Sequence, residues 1–226
     1  MTELGRGPTS RGNRWPPQCC VPAFLGSAVA AFYDCPDIID NEEVRRKIAK
    51  ITRVVLSPSD ENPWSLPTSA TYAEWGVTRQ KARSSFTSIQ KFLTGRSDLT
   101  LDFVELNKVV YGMYEDAIAD FVREQAIVGI DFDFFYLAQF CQVDWTESVA
   151  KADHVVRLTP LGDEVEEAPN ILSAEFRLDY SSRLHVFDDS SEIGKSESLV
   201  DWQALVRASR IIDGSFWIIR RPGQAG

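Results

Sequence analysis

Apolar residues recur at helical spacing through the first half of the chain. Between Gln18 and Phe32 they are small and occupy nearly every side, which predicts a helix buried all around. A second helix is predicted to start at Asn41, and further helices at 77–93 and 113–125. Residues 101–110 fit either a strand or a short helix, so both assignments stay open.

Short apolar runs bounded by turn residues replace this helical pattern in the second half. Residues 126–132 have the character of a central strand, and 198–208 predict a short helix. Further strands are predicted at Val155–Leu158, Ile171–Leu178, Arg183–Phe187 and Phe216–Arg220. Helices first and antiparallel strands second indicate the α+β class.

The 226 residues suffice for one large domain. Residues 1–14, rich in Gly, Arg, Ser and Pro, predict a flexible leader. Residues 15–226 are then expected to form a single domain, with a helical lobe at 36–125 and a β lobe at 126–226.

Composition and charge exclude some classes of function. Apolar residues make up 44% of the chain and charged residues 25%, the balance of an ordinary soluble protein. The net charge of −9 argues against a nucleic-acid partner, which favours a basic face. No apolar run approaches the roughly 20 residues that a membrane-spanning helix needs, so we expect no membrane span.

The four cysteines (Cys19, Cys20, Cys35 and Cys141) lack the spacing of a disulfide framework or a zinc site. We therefore expect reduced thiols, a cytoplasmic location, and neither metal nor cofactor. One alternative is a secretory signal peptide, since arginines precede Ala28-Val29-Ala30, although Pro16 and Pro17 interrupt the expected layout. A metal held by Asp131 and Asp133 is a weaker alternative, because no His or Cys accompanies them.

Cys20 stands at the start of the predicted buried helix, and Pro22 suits that early position. Unpaired N–H groups and the positive end of the helix dipole both stabilise a thiolate there. Cys20 is therefore the candidate nucleophile. The alternatives are a small buried core residue, or Cys19 as the nucleophile if the helix begins one residue earlier.

The run Cys20-Val21-Pro22-Ala23, with the Ala-rich helix after it, resembles the opening of papain-like cysteine peptidases. The resemblance is closest to the bacterial group that trims double-glycine leader peptides. Asp153-His154-Val155 and Leu184-His185-Val186-Phe187-Asp188 follow in the order of that family. The resemblance implies a two-lobed papain-like fold, with the nucleophile helix in the helical half and an antiparallel sheet in the other.

The resemblance also implies a catalytic triad, in which Cys20 attacks, His154 shuttles the proton and Asp188 orients the imidazole. Asp189 is the alternative acid, and ordinary turn chemistry is the alternative for both carboxylates. We expect Cys20, His154 and one of the two carboxylates to converge in one cleft.

The oxyanion donor differs from the family pattern, which has a Gln six residues before the nucleophile. This chain has Arg14 there, so Gln18 and Asn13 become the candidates, and Val21 replaces the usual Gly. The expected function is hydrolysis of a peptide or isopeptide bond in a peptide or protein substrate. The alternatives are an inactive papain-like binding or regulatory module and a thiol-dependent acyltransferase.

Overall fold

A computed structural model describes part of the chain: residues 15, 19–52, 77–109, 126–133, 136–137, 153–158, 183–187, 189 and 197–223. These residues form α-helices and one antiparallel sheet, which confirms the α+β class. The helix predicted at 113–125 and the strand predicted at 171–178 lie outside the described residues.

The described helices are α1 (Cys20–Phe32), α2 (Glu42–Ile51), α3 (Arg79–Thr94) and α4 (Trp202–Ile211). Capping groups fix several of their ends. The Asn41 side chain accepts from the backbone N–H of Glu43 at 2.8 Å and so starts α2. Thr78 caps α3, and Gly95 ends it with a left-handed φ of 72°.

Six strands form the sheet in the order β1-β6-β2-β3-β4-β5, and every neighbouring pair is antiparallel. Their bounds are β1 (Thr100–Glu105), β2 (Ile127–Asp133), β3 (Asp153–Leu158), β4 (Arg183–Phe187), β5 (Glu197–Asp201) and β6 (Ser215–Arg220). Residues 101–110 contain both of the structures that their pattern allowed, because β1 is followed by a 3-10 turn at Leu106–Lys108.

Two features of the sheet differ from a simple reading of the predicted layout. β1 belongs to the predicted helical lobe but pairs along its whole length with β6, so a division at residue 126 does not separate helices from sheet. The helix predicted from Ser198 starts at Trp202, because residues 197–201 pair with β4 as strand β5. Alternation along this short segment was too brief to distinguish a strand from the first turn of a helix.

The sheet has helices on both faces, and each face has its own core. We call the side covered by α1, α2 and α3 the α1 face; its sheet residues include Ile127, Val155, Trp217 and Ile219. The opposite side, the α4 face, packs Val128, Ile130, Phe132, Val156, Phe216 and Ile218 against α4. The central strand β2 is therefore buried on both faces, as its continuous run predicted.

Close packing seats α1 on its face of the sheet. The ring of Phe24 lies on Gly129, where a Cβ atom would come within 2.7 Å of the ring. Phe24 also meets Trp217 edge-on, with ring centroids 6.0 Å apart. A glycine in β2 therefore makes room for the aromatic side chain of α1.

One side-chain amide of α3 forms hydrogen bonds with the residue that directly precedes β1. Gln90 is fully buried, and it donates to the carbonyl of Leu99 and accepts from the Leu99 N–H, both at 2.9 Å. This satisfies a buried polar side chain and two backbone groups together.

Candidate functional site

Cys20 is the first residue of α1, as the sequence predicted. Cys19 precedes it at the cap position, and its carbonyl accepts from the Ala23 N–H at 2.8 Å. The side chain of Cys19 makes no capping hydrogen bond. Cys20 is 9% exposed and lies in the core of the α1 face. The helix start that the sequence predicted at Cys20 is thus present, and the thiol occupies a largely buried position there.

The direction of α1 follows from its contacts with β6. Phe24 meets Trp217, and the ring of Tyr33 lies 5.7 Å from the guanidinium of Arg221. Nine helical residues rise about 13.5 Å and four strand residues about 13 Å, so α1 runs parallel to β6. Its first turn therefore points to the end of the sheet where β6 begins, β2 ends and β3 begins.

His154 is the second residue of β3, at this same end of the sheet. In the strand register it stands opposite Phe132, and the two rings meet edge-on with centroids 5.8 Å apart. Phe132 belongs to the core of the α4 face, whereas Val155 belongs to the core of the α1 face. Because side chains alternate along a strand, His154 lies on the α4 face. It is 1% exposed.

The expected convergence of Cys20 and His154 on one face is therefore not supported. Both stand at the same end of the sheet, but α1 packs on one face and the imidazole projects from the other. The sequence suggested the pairing from the order of the motifs and from their positions at the start of a helix and of a strand. The face on which each side chain lies depends on a register that cannot be read locally.

Asp189 is engaged elsewhere. It pairs with Arg157 of β3 at 3.0 Å, and both side chains are 2% exposed. Arg157 alternates with Val156 and Leu158 of the α4 face, so it projects from the α1 face. Asp189 was the alternative residue to orient His154. The ion pair with Arg157 instead holds its carboxylate on the α1 face, opposite the face from which His154 projects. Asp188, Gln18 and Asn13 lie outside the described residues.

A second buried carboxylate occupies the end of the sheet reached by α1. Asp131 of β2 accepts two hydrogen bonds from Arg79, at 2.9 and 3.1 Å, and one from the Ser215 N–H at 2.5 Å. Arg79 also donates to the carbonyl of Asp213 at 2.7 Å. These bonds tie the first turn of α3 to the ends of two strands.

Burial raises the pKa of the Asp131 carboxyl above its ordinary value, while Arg79 and the Ser215 amide act in the opposite direction. Arg79 is the first residue of α3, where the helix dipole disfavours a cation. The carboxylate of Asp131 compensates both the guanidinium and the helix terminus.

Sequence reasoning considered Asp131 only as half of a metal site and missed its pairing with Arg79, 52 residues away. A signal was present, since a carboxylate inside the apolar run of β2 needs a buried partner. Nothing in the local pattern identified which of the chain's cations supplies it.

Cys19, Cys20 and Cys35 are free thiols, and Cys141 lies outside the described residues. Burial, followed by the Asp34 charge, raises the pKa of Cys35. Within the described part of the chain, no group of His, Cys, Asp and Glu is arranged to hold a metal ion. The helices described there are all too short or too polar to cross a membrane.

Comparisons with known proteins give no family. No model of a protein family matches the chain, and no curated protein matches it either.

Proposed function

We propose that the chain is a binding or regulatory module with a peptide or protein partner, and that Cys20 turns over no substrate. The observation that carries this proposal is the separation of Cys20 and His154 between the two faces of the sheet. A thiol acts as a nucleophile in this chemistry when a base lies within hydrogen-bond reach. The burial of Cys20 supports the same conclusion, since a reacting thiol has to meet its substrate.

A second candidate is a cysteine hydrolase, or an acyltransferase using the same acyl-enzyme, with the papain-like two-lobed fold that the motifs resemble. It is favoured by one observation: α1 delivers Cys20 to the end of the sheet where β3 begins with His154. In this candidate the imidazole takes the thiol proton, and Asp188 orients it.

Alkylation of the native protein across pH separates the two candidates. The reagent is a haloacetamide, and mass spectrometry identifies the modified cysteine. For the binding module we expect the rate at Cys20 to rise toward the ordinary thiol pKa of about 8.5, with no change in His154→Ala. His185→Ala is the matched control, because it removes the chain's other histidine.

The opposite result would establish the hydrolase candidate. Rapid modification of Cys20 at about pH 6, slowed by His154→Ala and not by His185→Ala, shows a thiolate paired with an imidazole. That outcome overturns the proposal of a module without turnover.

A further inference from the structure

Strand β1 stands at one edge of the sheet, with β6 on its other side. We infer that the open side of β1 binds an extended segment of the partner protein, which pairs there as an additional strand and carries a carboxylate side chain. The inference rests on the proposed binding function, and it adds a location and a chemical class of partner to it.

The backbone groups of β1 divide between the two sides of the strand. The Leu106 N–H donates to the Gly214 carbonyl at 3.0 Å, so these two residues form a hydrogen-bonded pair at the end of the β1–β6 ladder. Hydrogen-bonded and non-hydrogen-bonded pairs alternate along an antiparallel ladder. The pairs formed by Leu101, Phe103 and Glu105 are therefore of the second kind, and the backbone N–H groups of these three residues point away from β6.

Gln90 of α3 shows how this edge is satisfied where it is covered. Leu99 continues the same alternation, and its N–H and carbonyl both bind the Gln90 side chain at 2.9 Å. Within the described part of the chain, the N–H groups of Leu101, Phe103 and Glu105 and the carbonyls of the first two have no hydrogen-bond partner. Another extended backbone, whose groups repeat about every 7 Å, matches this row.

The strand also lacks features that protect an exposed edge. Its six residues pair with β6 in an unbroken register, without a proline or a bulge. Leu101 and Phe103 direct their side chains to the α1 face, where both contact its core. An added strand would therefore meet apolar side chains beside its backbone hydrogen bonds, which is how strand addition obtains specificity.

Arg83 of α3 determines the charge expected of the partner. Its guanidinium lies over the ring of Phe103, 5.0 Å from the centroid. Arg79, one turn earlier on α3, is paired with Asp131, whereas Arg83 has no carboxylate within salt-bridge distance among the described residues. A carboxylate on the α1 side of an added strand could supply that partner.

The acidic side chains of β1 itself are paired with other cations. Asp102 lies 3.7 Å from Arg220, and Glu105 lies 3.0 Å from Lys108. Arg83 is thus the cation beside Phe103 to which a partner's carboxylate can bind.

A second copy of the chain is the alternative occupant, and charge disfavours it. A two-fold axis at Phe103 would bring two Arg83 guanidiniums together, and an axis at Asp102 would place two carboxylates opposite each other. Each chain also carries a net charge of −9. A segment of another protein avoids these repulsions.

The probe is a peptide selected on the full chain from a phage-displayed library of short random sequences. We expect the selected peptides to alternate apolar residues with other residues and to contain Asp or Glu. N-methylation of alternate backbone nitrogens should abolish binding of a selected peptide in one phase of the alternation and be tolerated in the other, because an edge strand binds through every second residue. Fluorescence anisotropy measures the affinity.

Glu105→Pro removes one outward N–H while leaving the ladder with β6 intact. Glu105 has a φ of −64°, the value that proline requires, and its N–H points away from β6. The variant should weaken peptide binding about tenfold. The matched control Glu105→Ala removes the side chain alone and should bind at least as tightly as the wild type.

Arg83→Gln tests the carboxylate. It should weaken binding of an acidic peptide about two- to fivefold, and Arg83→Lys should retain more of the affinity because it keeps the charge. Selected peptides without an acidic residue would overturn the assignment of a carboxylate to the partner.

Amide hydrogen exchange, followed by NMR, tests the edge directly. In the free protein the amides of Leu101, Phe103 and Glu105 should exchange faster than those of Asp102 and Val104, which bind β6. The selected peptide should slow exchange at the first three. Equal protection of all five amides in the free protein would show that the chain covers its own edge, and would overturn the inference.

The remaining outcomes separate this inference from the proposed function. A peptide whose affinity is unchanged in Glu105→Pro and Arg83→Gln binds elsewhere, which overturns the location and leaves the binding module intact. A dimer that Glu105→Pro converts to a monomer would show a second copy on the edge and overturn the choice of partner.

If circular dichroism shows that Glu105→Pro does not fold, the N-methylated peptides and the exchange pattern decide. Failure to select any peptide overturns the inference. The proposed function is overturned separately, by rapid alkylation of Cys20 that His154→Ala slows.

Discussion

The two faces of the sheet differ in chemistry although they share the same strands. Among the described residues, the core of the α4 face is built mainly from aliphatic and aromatic side chains, and the strand register places His154 there as well. The α1 face carries Asp131, Arg157 and Ser215 on its strands, and Cys20 on its helix. One side of the fold is thus an apolar core, and the other contains buried charge.

Buried charge costs free energy unless each group is paired, so its concentration on one face indicates where the chemistry of the molecule lies. The motifs in the sequence placed Cys20 and His154 together because each stands at the start of an element. The difference between the faces separates them, and it places the buried pair of Asp131 and Arg79 on the face covered by α1.

The largest effect is expected from breaking the buried pair on the α1 face. Asp189→Ala leaves Arg157 charged, buried and without its carboxylate, and should lower the free energy of unfolding by about 3–5 kcal/mol. Urea denaturation measures this change. A loss below about 1 kcal/mol would show that the pair is solvated, and that the two faces differ less than described.

The matched control replaces both charges. Arg157→Met combined with Asp189→Leu removes the ion pair while filling similar volume, and should cost much less than Asp189→Ala alone. This separates the penalty of an unpaired charge from the loss of packing.

The substitution Gly129→Ala tests the contact between Phe24 of α1 and Gly129 of β2. The added methyl meets the Phe24 ring at 2.7 Å and the Val156 carbonyl at 3.2 Å, so we expect a loss of about 1–3 kcal/mol in thermal or urea unfolding. Combining it with Phe24→Leu should cost less than the sum of the two single changes. Additive costs would show that α1 does not rest on β2 there.

The apolar character of the α4 face is tested by one hydroxyl. The Ser209 hydroxyl is fully buried and has no hydrogen-bond partner among the residues described, so Ser209→Ala should be neutral or stabilise by up to about 1 kcal/mol. Its neighbour Ala208, equally buried, offers the reverse control, because Ala208→Ser should destabilise. Marked destabilisation by Ser209→Ala would instead reveal a satisfied polar group on this face.

The smallest effect on stability is expected at Tyr33, which follows the C-terminal end of α1 at the solvent-exposed edge of the α1 face. Burial, and then the hydrogen bond that Tyr33 donates to Asp98, raise the pKa of Tyr33 to about 12. The neutral phenol is favoured in the fold, so this contribution to stability is present below about pH 10 and is lost as the pH rises toward 12.

Spectrophotometric titration tests this by difference between the wild type and Tyr33→Phe. The absorbance of one phenolate should be missing from the variant, with a midpoint near 12. A midpoint near 10 would mean that Tyr33 is solvated and makes no durable contact with Asp98.

Much of the fold could be predicted from the sequence, because its signals are local. Asn41 and Gly95 marked helix ends, and the apolar run of β2 marked a strand buried on both faces. The helix start at Cys20 followed from the same kind of signal.

The site could be predicted only in part, because it depends on relations between distant segments. Whether His154 faces α1 depends on a register set by pairing with β2, and a shift of one residue would reverse the face. The partners of Asp131 and Asp189 are chosen by the three-dimensional packing of α3 and β3. No spacing in the sequence encodes these pairs.

The hydrogen bond from the Leu99 N–H to the Gln90 side chain makes hydrogen exchange at Leu99 a measure of how α3 separates from the sheet during unfolding. The Leu99 N–H is protected by an amide on α3, not by a neighbouring strand, so deuterium can replace its hydrogen only when α3 and the start of β1 separate. An exchange rate at Leu99 faster than at the centre of β2 would show that α3 opens before the sheet does. Equal rates would show that helix and sheet unfold as one cooperative unit.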